Sequence, residues 1–294
     1  MRVCGFTFIR NAERFDFPVV EAITSILPIC DQFVVAVGKS DDHTREIIAN
    51  IDTEKIFIID TVWDICQWNG GAVYAAETDK AMDAISREFD WCFYIQGDEV
   101  LHEKYLPVVQ QSMRDNLLRR EVEGLLFRYR HFYGTYDYVG DSRKWYRNEI
   151  RIIRNDKSIR SYRDAQGFRK HGRKLSVVSV DAEIYHYGWV RAPGFMQKKI
   201  DEVRKFYGGG PVDAGSSINR QEEFDYQRSY DALAKFYGTH PRVMQERIER
   251  LNWKVDVDLK RIRMKLRYRL LYYIEKITGK RLFEYRNYRM IKHA

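Results

Sequence analysis

The chain has 294 residues, 45% hydrophobic and 31% charged, which suits one large α/β domain with an appendage or two small domains. Its net charge of +8 is unevenly spread: residues 258–294 carry 12 Lys+Arg against 3 Asp+Glu, a balance of +9, and the first 257 residues sum to −1. A near-neutral body argues against nucleic acid as a partner, and no apolar run is long enough to span a bilayer.

The opening MRVCGFTFIRNAER lacks a cleavage-site pattern, so no signal peptide is expected. Cys4, Cys30, Cys66 and Cys92 form no CxxC pair and no zinc-like spacing. They suit free thiols in a reducing, cytoplasmic compartment.

Residues 2–9 alternate and run apolar, a strand ending in Arg10-Asn11-Ala12-Glu13, with a helix predicted over 17–27. A second strand at 33–37 runs into GKSDDHT and a helix to about residue 50. A third strand follows at 55–60, and residues 70–89 space their alanines as a helix does. WCFYI (91–95) is too short for a helix and rich in strand formers. This alternation predicts a parallel sheet with helices on both faces. Beyond it the pattern predicts a helix over 103–118 and strands at 124–131, 149–155 and 177–180. An aromatic loop HFYGTYDY (131–138), a basic loop (160–174) and a late strand EIYHYGW (183–189) complete this part.

The WCFYI strand breaks into Gln96-Gly97-Asp98-Glu99, a glycine turn with two carboxylates. Ligands collect beyond the carboxyl ends of strands in open α/β sheets. Alternation puts Gln96 and Asp98 on one face, where paired oxygens suit a divalent cation carrying phosphates. An acidic surface turn accounts for the same four residues equally well. Asp42 either caps the helix that Thr44 opens or faces an anion there. The aromatic loop lines an acceptor groove or packs beneath a longer loop.

After residue 190 the composition changes. Residues 208–217 form a Gly/Ser-rich flexible stretch between helices predicted at 193–207, 221–237 and 241–251. Residues 258–277 fit a strand period and a helix face alike; their length and Leu, Lys, Arg and Met content favour a helix. Such a basic amphipathic helix either lies on an anionic membrane or docks on its own domain.

WCFYIQGDEVLHE resembles the segment of family 2 glycosyltransferases in which a strand ends in an Asp-x-Asp-type motif, with Gln96 at the first position. IRNAER is similar to that family's Ile-Arg-Asn-Glu-Glu start, and GKSDDHTREII to its Gly-Ser-x-Asp-x-Thr segment, with Asp42 and Thr44 matching. The aspartate often assigned to the nucleobase stands as Val37, which leaves the base open. EIYHYGW resembles the late strand whose histidine completes the metal site, here His186.

The resemblance covers roughly residues 1–190. It implies a GT-A, Rossmann-like α/β fold with a mixed, mainly parallel sheet and flanking helices; the helical patterns beyond it predict a helical extension over 191–294 with the basic tail. It implies an inverting transferase that moves a sugar from a nucleotide-sugar donor to a glycan or lipid-linked acceptor. Arg10, Asn11, Asp42, Gln96 and Asp98 are the expected donor-binding residues, and Asp98 and His186 the expected ligands of Mn²⁺ or Mg²⁺. A packed, hydrogen-bonded histidine remains the alternative for His186. Asp164 is the candidate base, or a loop aspartate paired with Arg163 or Arg169. A nucleotidyltransferase is disfavoured by the lack of a glycine- and lysine-rich phosphate loop in IRNAER. A non-enzymatic sugar- or nucleic-acid-binding protein is the remaining alternative.

Overall fold

The computed structural model describes residues 1–64, 71–206 and 223–291. The predicted flexible stretch 208–217 and Cys66 lie outside them.

The first half follows the predicted order: β1 Val3–Ile9, α1 Val19–Ile26, β2 Gln32–Gly38, α2 Thr44–Ala49, β3 Ile56–Thr61, α3 Ala72–Asp83 and β4 Trp91–Tyr94. These four strands lie parallel in the order β3-β2-β1-β4. Each is buried along most of its length except β3, which sits at the sheet edge. A continuous Val/Phe/Ala strand such as β2 is what a sheet covered on both faces requires.

The second half is β5 Glu99–Leu101, α4 Leu106–Asp115, β6 Gly124–Tyr133, β7 Thr135–Gly140, β8 Asn148–Arg154, β9 Ile159–Tyr162, β10 Gly167–Lys170, β11 Arg173–Lys174 and β12 Ser176–Trp189. β8 inserts antiparallel between β4 and β6, and β12 runs parallel to β6 and antiparallel to β5. The mixed Rossmann-like sheet with flanking helices that the GT-A resemblance implies is therefore present.

Two predicted loops and one pair of predicted strands fold otherwise. HFYGTYDY is the tip of a β6–β7 hairpin, turned by Gly134 at φ 74°. Its Phe132, Tyr133 and Tyr136 are buried, so they pack and do not line a groove. The basic stretch 160–174 forms the small sheet β9-β10-β11. The small sheet buries Ile159 and Phe168 fully, with side chains of α3 and β4 in the same core cluster. The short strand at 177–180 and the late strand are one 14-residue element, β12.

The rest is α5 Pro193–Phe206, β13 Leu233–Lys235, α6 Gln245–Glu249, α7 Leu266–Thr278 and β14 Arg289–Met290. The helix predicted over 221–237 is absent among the described residues. That stretch makes a 3₁₀ turn capped by Asp225 and then β13, which pairs with β7. Tyr226 and Tyr230 pack there against Tyr133, and this tertiary burial overrides the helical spacing. The tail helix begins at Leu266, half-way along the predicted span. β14 pairs with β12, so residues 191–294 also contribute strands to the main sheet. No helix among the described residues is long and apolar enough to cross a membrane.

Candidate active site

Strand register assembles the site. β1 and β4 are neighbours with Phe6 opposite Tyr94, so Arg10 and the Gln96–Asp98 turn leave the sheet at the same end. β5 turns back against β12 with Glu99 opposite His186, and the Tyr187 amide donates to the Asp98 carbonyl at 2.8 Å. β12 pairs with β6 so that His186 lies opposite His131. Two glycines permit the approach. A Cβ on Gly97 would meet Ile9 at 2.9 Å, and one on Gly188 would meet His186 Nε2 at 2.6 Å and Asp98 Oδ2 at 2.8 Å.

The two carboxylates of the turn have different roles. Glu99 is fully buried and forks onto Arg151, with both contacts at 2.7 Å. It also accepts from the Tyr129 hydroxyl at 2.9 Å and the Gln96 amide at 3.1 Å. With its oxygens satisfied in this way it braces the turn. Asp98 faces a cavity of about 380 Å³ that is also lined by Arg10, Gln96, Asp164, His186 and Lys199. Gln96 donates amide hydrogens to the Tyr94 hydroxyl and the Ala165 carbonyl, both at 3.2 Å, which leaves its oxygen as the acceptor. Phe8, Trp63 and Tyr74 form an aromatic wall, with Phe8 stacked on Tyr74 at 5.8 Å.

A chain of imidazoles fixes the state of His186. His131 Nε2 lies 2.8 Å from the Tyr146 carbonyl, an obligate acceptor, so it carries the proton. Burial holds His131 down to about 3, so it is neutral and its Nδ1 is a lone pair. His186 Nδ1 lies 3.0 Å from that lone pair and must donate to it. Burial likewise brings His186 to about 4. Its Nε2 is therefore an unprotonated acceptor, 3.8 Å from Asp98 Oδ1. Two acceptors facing each other across that gap fit a cation between them, and the backbone-anchored tautomer is the usual support for a ligating histidine. The donor set thus fits a divalent cation. Among the described residues no third His, Cys, Asp or Glu joins them, so a bound ion would take its other ligands from substrate and water.

The other Asp98 oxygen is held by cations. Lys199 Nζ lies at 3.1 Å and Arg191 Nη2 at 3.8 Å. Burial works against the Asp98 charge, but Lys199, then His186 (cationic at the low pH where Asp98 would titrate) and Arg191, together outweigh it and keep the carboxyl well below its ordinary range. Burial brings Lys199 down to about 8. Arg191 Nη2 is buried with no hydrogen-bond partner.

Of the expected donor residues, Arg10, Gln96 and Asp98 line the cavity, as does His186. Asn11 and Asp42 do not. Asn11 is buried and accepts from the Asp41 amide at 2.9 Å. Asp42 accepts from the Thr44 amide at 3.0 Å and the Arg14 amide at 2.8 Å, so both spend their side chains on loop backbone. Asp164 sits on the β9–β10 turn, half-buried, where this cavity meets a second one. The sequence reading missed Lys199, Arg191, His131 and the aromatic wall. Lys199 carried a usable signal, since it lies on one face of α5 with Met196 and Val203 at helical spacing.

Neither a family model nor a curated protein matches the chain. Among solved structures it is similar to TarS of S. aureus, at 14% identity and TM-score 0.41, over 69% of this chain and 39% of that one. It is similar to glucosyl-3-phosphoglycerate synthase from Mycobacterium tuberculosis in complex with Mn²⁺, UDP and glucosyl-3-phosphoglycerate, at 15% identity and TM-score 0.32, over 45% of each chain. A third likeness is 4-diphosphocytidyl-2C-methyl-D-erythritol synthase from Anaerococcus prevotii DSM 20548, at 8% identity and TM-score 0.34, over 52% of this chain and 70% of that one. The chain therefore spans less than half of the TarS and mycobacterial synthase chains. Likeness at these identities and scores carries no functional weight, and what bears on function is the site's own geometry.

Proposed function

We propose that the chain is a GT-A glycosyltransferase of family 2 type, moving a sugar from a nucleoside-diphosphate sugar to a hydroxyl of a glycan or lipid-linked acceptor with inversion. The observation that carries this is the pair of opposed acceptors, Asp98 Oδ1 and His186 Nε2, 3.8 Å apart at the strand end that opens into the cavity. Asp98 and His186 would hold the divalent cation, Mn²⁺ or Mg²⁺, and imidazole ligation favours manganese. When bound, that ion neutralises charge developing on the departing diphosphate.

The protein's own groups do the rest. Phe8, Trp63 and Tyr74 offer a face on which a nucleobase stacks. Arg10 and Lys199 are the cavity's cations for the diphosphate. Asp164, between the two cavities, takes the acceptor hydroxyl proton as the oxygen bonds to the anomeric carbon and the diphosphate leaves. In this reading donor binding belongs to residues 1–190, with Lys199 supplied by the extension over 191–294. The test is release of nucleoside diphosphate from UDP- and GDP-sugars, with and without Mn²⁺. Metal-dependent release that Asp98→Asn abolishes supports the reading, and metal-independent release by both proteins removes it.

The location is part of the same proposal: the cytoplasm, peripheral at the inner membrane face. Cys4, Cys30 and Cys92 are buried free thiols, as a reducing compartment allows. α7 leaves Leu266, Leu270 and Ile277 exposed beside a tail of balance +9, which suits an anionic surface.

A further inference from the structure

A second cavity of about 330 Å³ adjoins the first and shares Tyr146, Asp164 and Gln166 with it. Its cations are Arg143, Lys144, Arg147, Arg163 and Arg281, against Asp164 and Glu284. A further carboxylate, Glu275, is divided among Arg143 at 2.8 Å, Arg147 at 3.4 Å and Arg281 at 3.6 Å. Arg163 makes no ion pair among the described residues and lies over the Tyr162 ring at 5.2 Å. Positive charge is therefore in surplus, and part of it is buried: the side chains of Arg143 and Arg281 are 9% and 8% exposed.

Two independent observations mark this as a built site. Glu149 lines the cavity as a buried carboxyl whose Oε2 has no hydrogen-bond partner. Burial raises it to about 8, so near neutrality it is largely protonated and does not repel an anion. The turn that forms the shared wall is also held in an uncommon shape. Arg163 and Ala165, on either side of Asp164, both adopt left-handed backbone, at φ 58° and 62°. Such residues persist where the surroundings over-determine them, often at binding sites.

We propose that the second cavity binds the acceptor through a phosphate monoester, with Arg147, Arg163 and Arg281 as its anion ligands. This deepens the glycosyl-transfer reading and rests on it for the word acceptor. A dianion matches the charge surplus, and guanidinium forks match phosphate oxygens. The anchored phosphate would place a neighbouring hydroxyl at Asp164, across the wall from the donor. The tail residues Tyr268, Phe283 and Tyr285 complete the cavity, so the basic C-terminal segment belongs to the substrate site as well as to the surface.

The experiment is calorimetry on the full chain, with sn-glycerol 3-phosphate as probe and glycerol as the neutral control, before and after saturation with UDP and Mn²⁺. The expected result is one probe site that survives UDP and weakens at least tenfold in Arg147→Gln/Arg163→Gln, with UDP affinity within twofold. Both arginines are solvent-accessible, so the variant is expected to fold, and a thermal melt checks it. No probe binding, equal binding by the variant, or displacement of the probe by UDP overturns the proposal. If UDP does not bind but the probe does, with the variant effect intact, the anion site stands and the donor reading fails. Vesicles containing phosphatidic acid form a parallel arm. Loss of their binding on the same substitutions assigns a lipid phosphate; loss confined to the soluble probe assigns a soluble ester.

Discussion

His131 and His186 meet through their Nδ1 atoms at 3.0 Å, and this contact sets the acceptor state of the atom facing Asp98. Replacing His131 with Phe keeps an aromatic ring against Trp145 and Tyr146 but frees the His186 tautomer. His131→Phe should weaken Mn²⁺ binding by about ten- to a hundredfold, the usual cost of losing an outer partner of a metal ligand. Manganese electron paramagnetic resonance titration measures this, and unchanged affinity would show that the imidazole chain does not set the site.

Gly188 tests the same gap sterically. Gly188→Ala places a methyl 2.6 Å from His186 Nε2 and 2.8 Å from Asp98 Oδ2. Gly188 lies at the register shift between His186 and Trp189 but has no positive φ, so the melting temperature should move by only a few degrees, while transfer falls by about a hundredfold through misplacement of the two groups. Full activity in the alanine variant would mean that His186 and Asp98 need not approach.

Glu149 gives a pH signature. Its folded pKa of about 8 lies above its ordinary value of 4.5, so between those limits the unfolded chain releases a proton that the folded chain keeps. Wild-type stability from this group therefore falls as pH rises from 4.5 to 8 and is level outside that window, with a limiting slope of about 1.4 kcal/mol per pH unit. Glu149→Gln removes the titration. The difference in melting temperature, variant minus wild type, should grow across the window and stop growing above it. A difference independent of pH would show that Glu149 ionises normally.

α7 carries the surface prediction. Leu266, Leu270 and Ile277 are 75%, 62% and 84% exposed and lie on one helical face. Tyr272 and Lys276 bind Asp141, and Glu275 binds Arg143, so the opposite face is docked on the sheet domain. Changing the three apolar residues to Ser should leave the fold intact and reduce co-sedimentation with anionic vesicles at least tenfold, since each apolar side chain buried is worth about 1.5–3 kcal/mol. Equal sedimentation of both proteins, or none by either, removes the membrane placement.

The order of elements through Tyr94 was legible because a covered parallel sheet leaves unbroken apolar strands, as in Phe33–Val37, separated by helical spacing. Asp98 and His186 were legible because each sits at the end of such a strand or within it. What was not legible depended on contacts distant in sequence. His131 reads as part of an aromatic loop until the β6–β12 register sets it opposite His186. Glu99 and Arg151 look like surface charges until they meet in the core, 52 residues apart. Asn11 and Asp42 match a motif, yet the loops they brace take up their oxygens. The second cavity was invisible because residues 143–149 and 281–288 form it jointly.

Metal-linked donor binding at Asp98 is the most direct test of the proposed glycosyl transfer. Calorimetric titration of UDP and GDP into the wild type and Asp98→Asn, each with Mn²⁺ and then with excess EDTA, measures it. The expected result is that one nucleotide binds the wild type only with Mn²⁺, and that the variant, folded by its thermal melt, loses that binding by at least tenfold. Equal affinity in the two proteins, unchanged by EDTA, would contradict the assignment of Asp98 and His186 as the centre of the site.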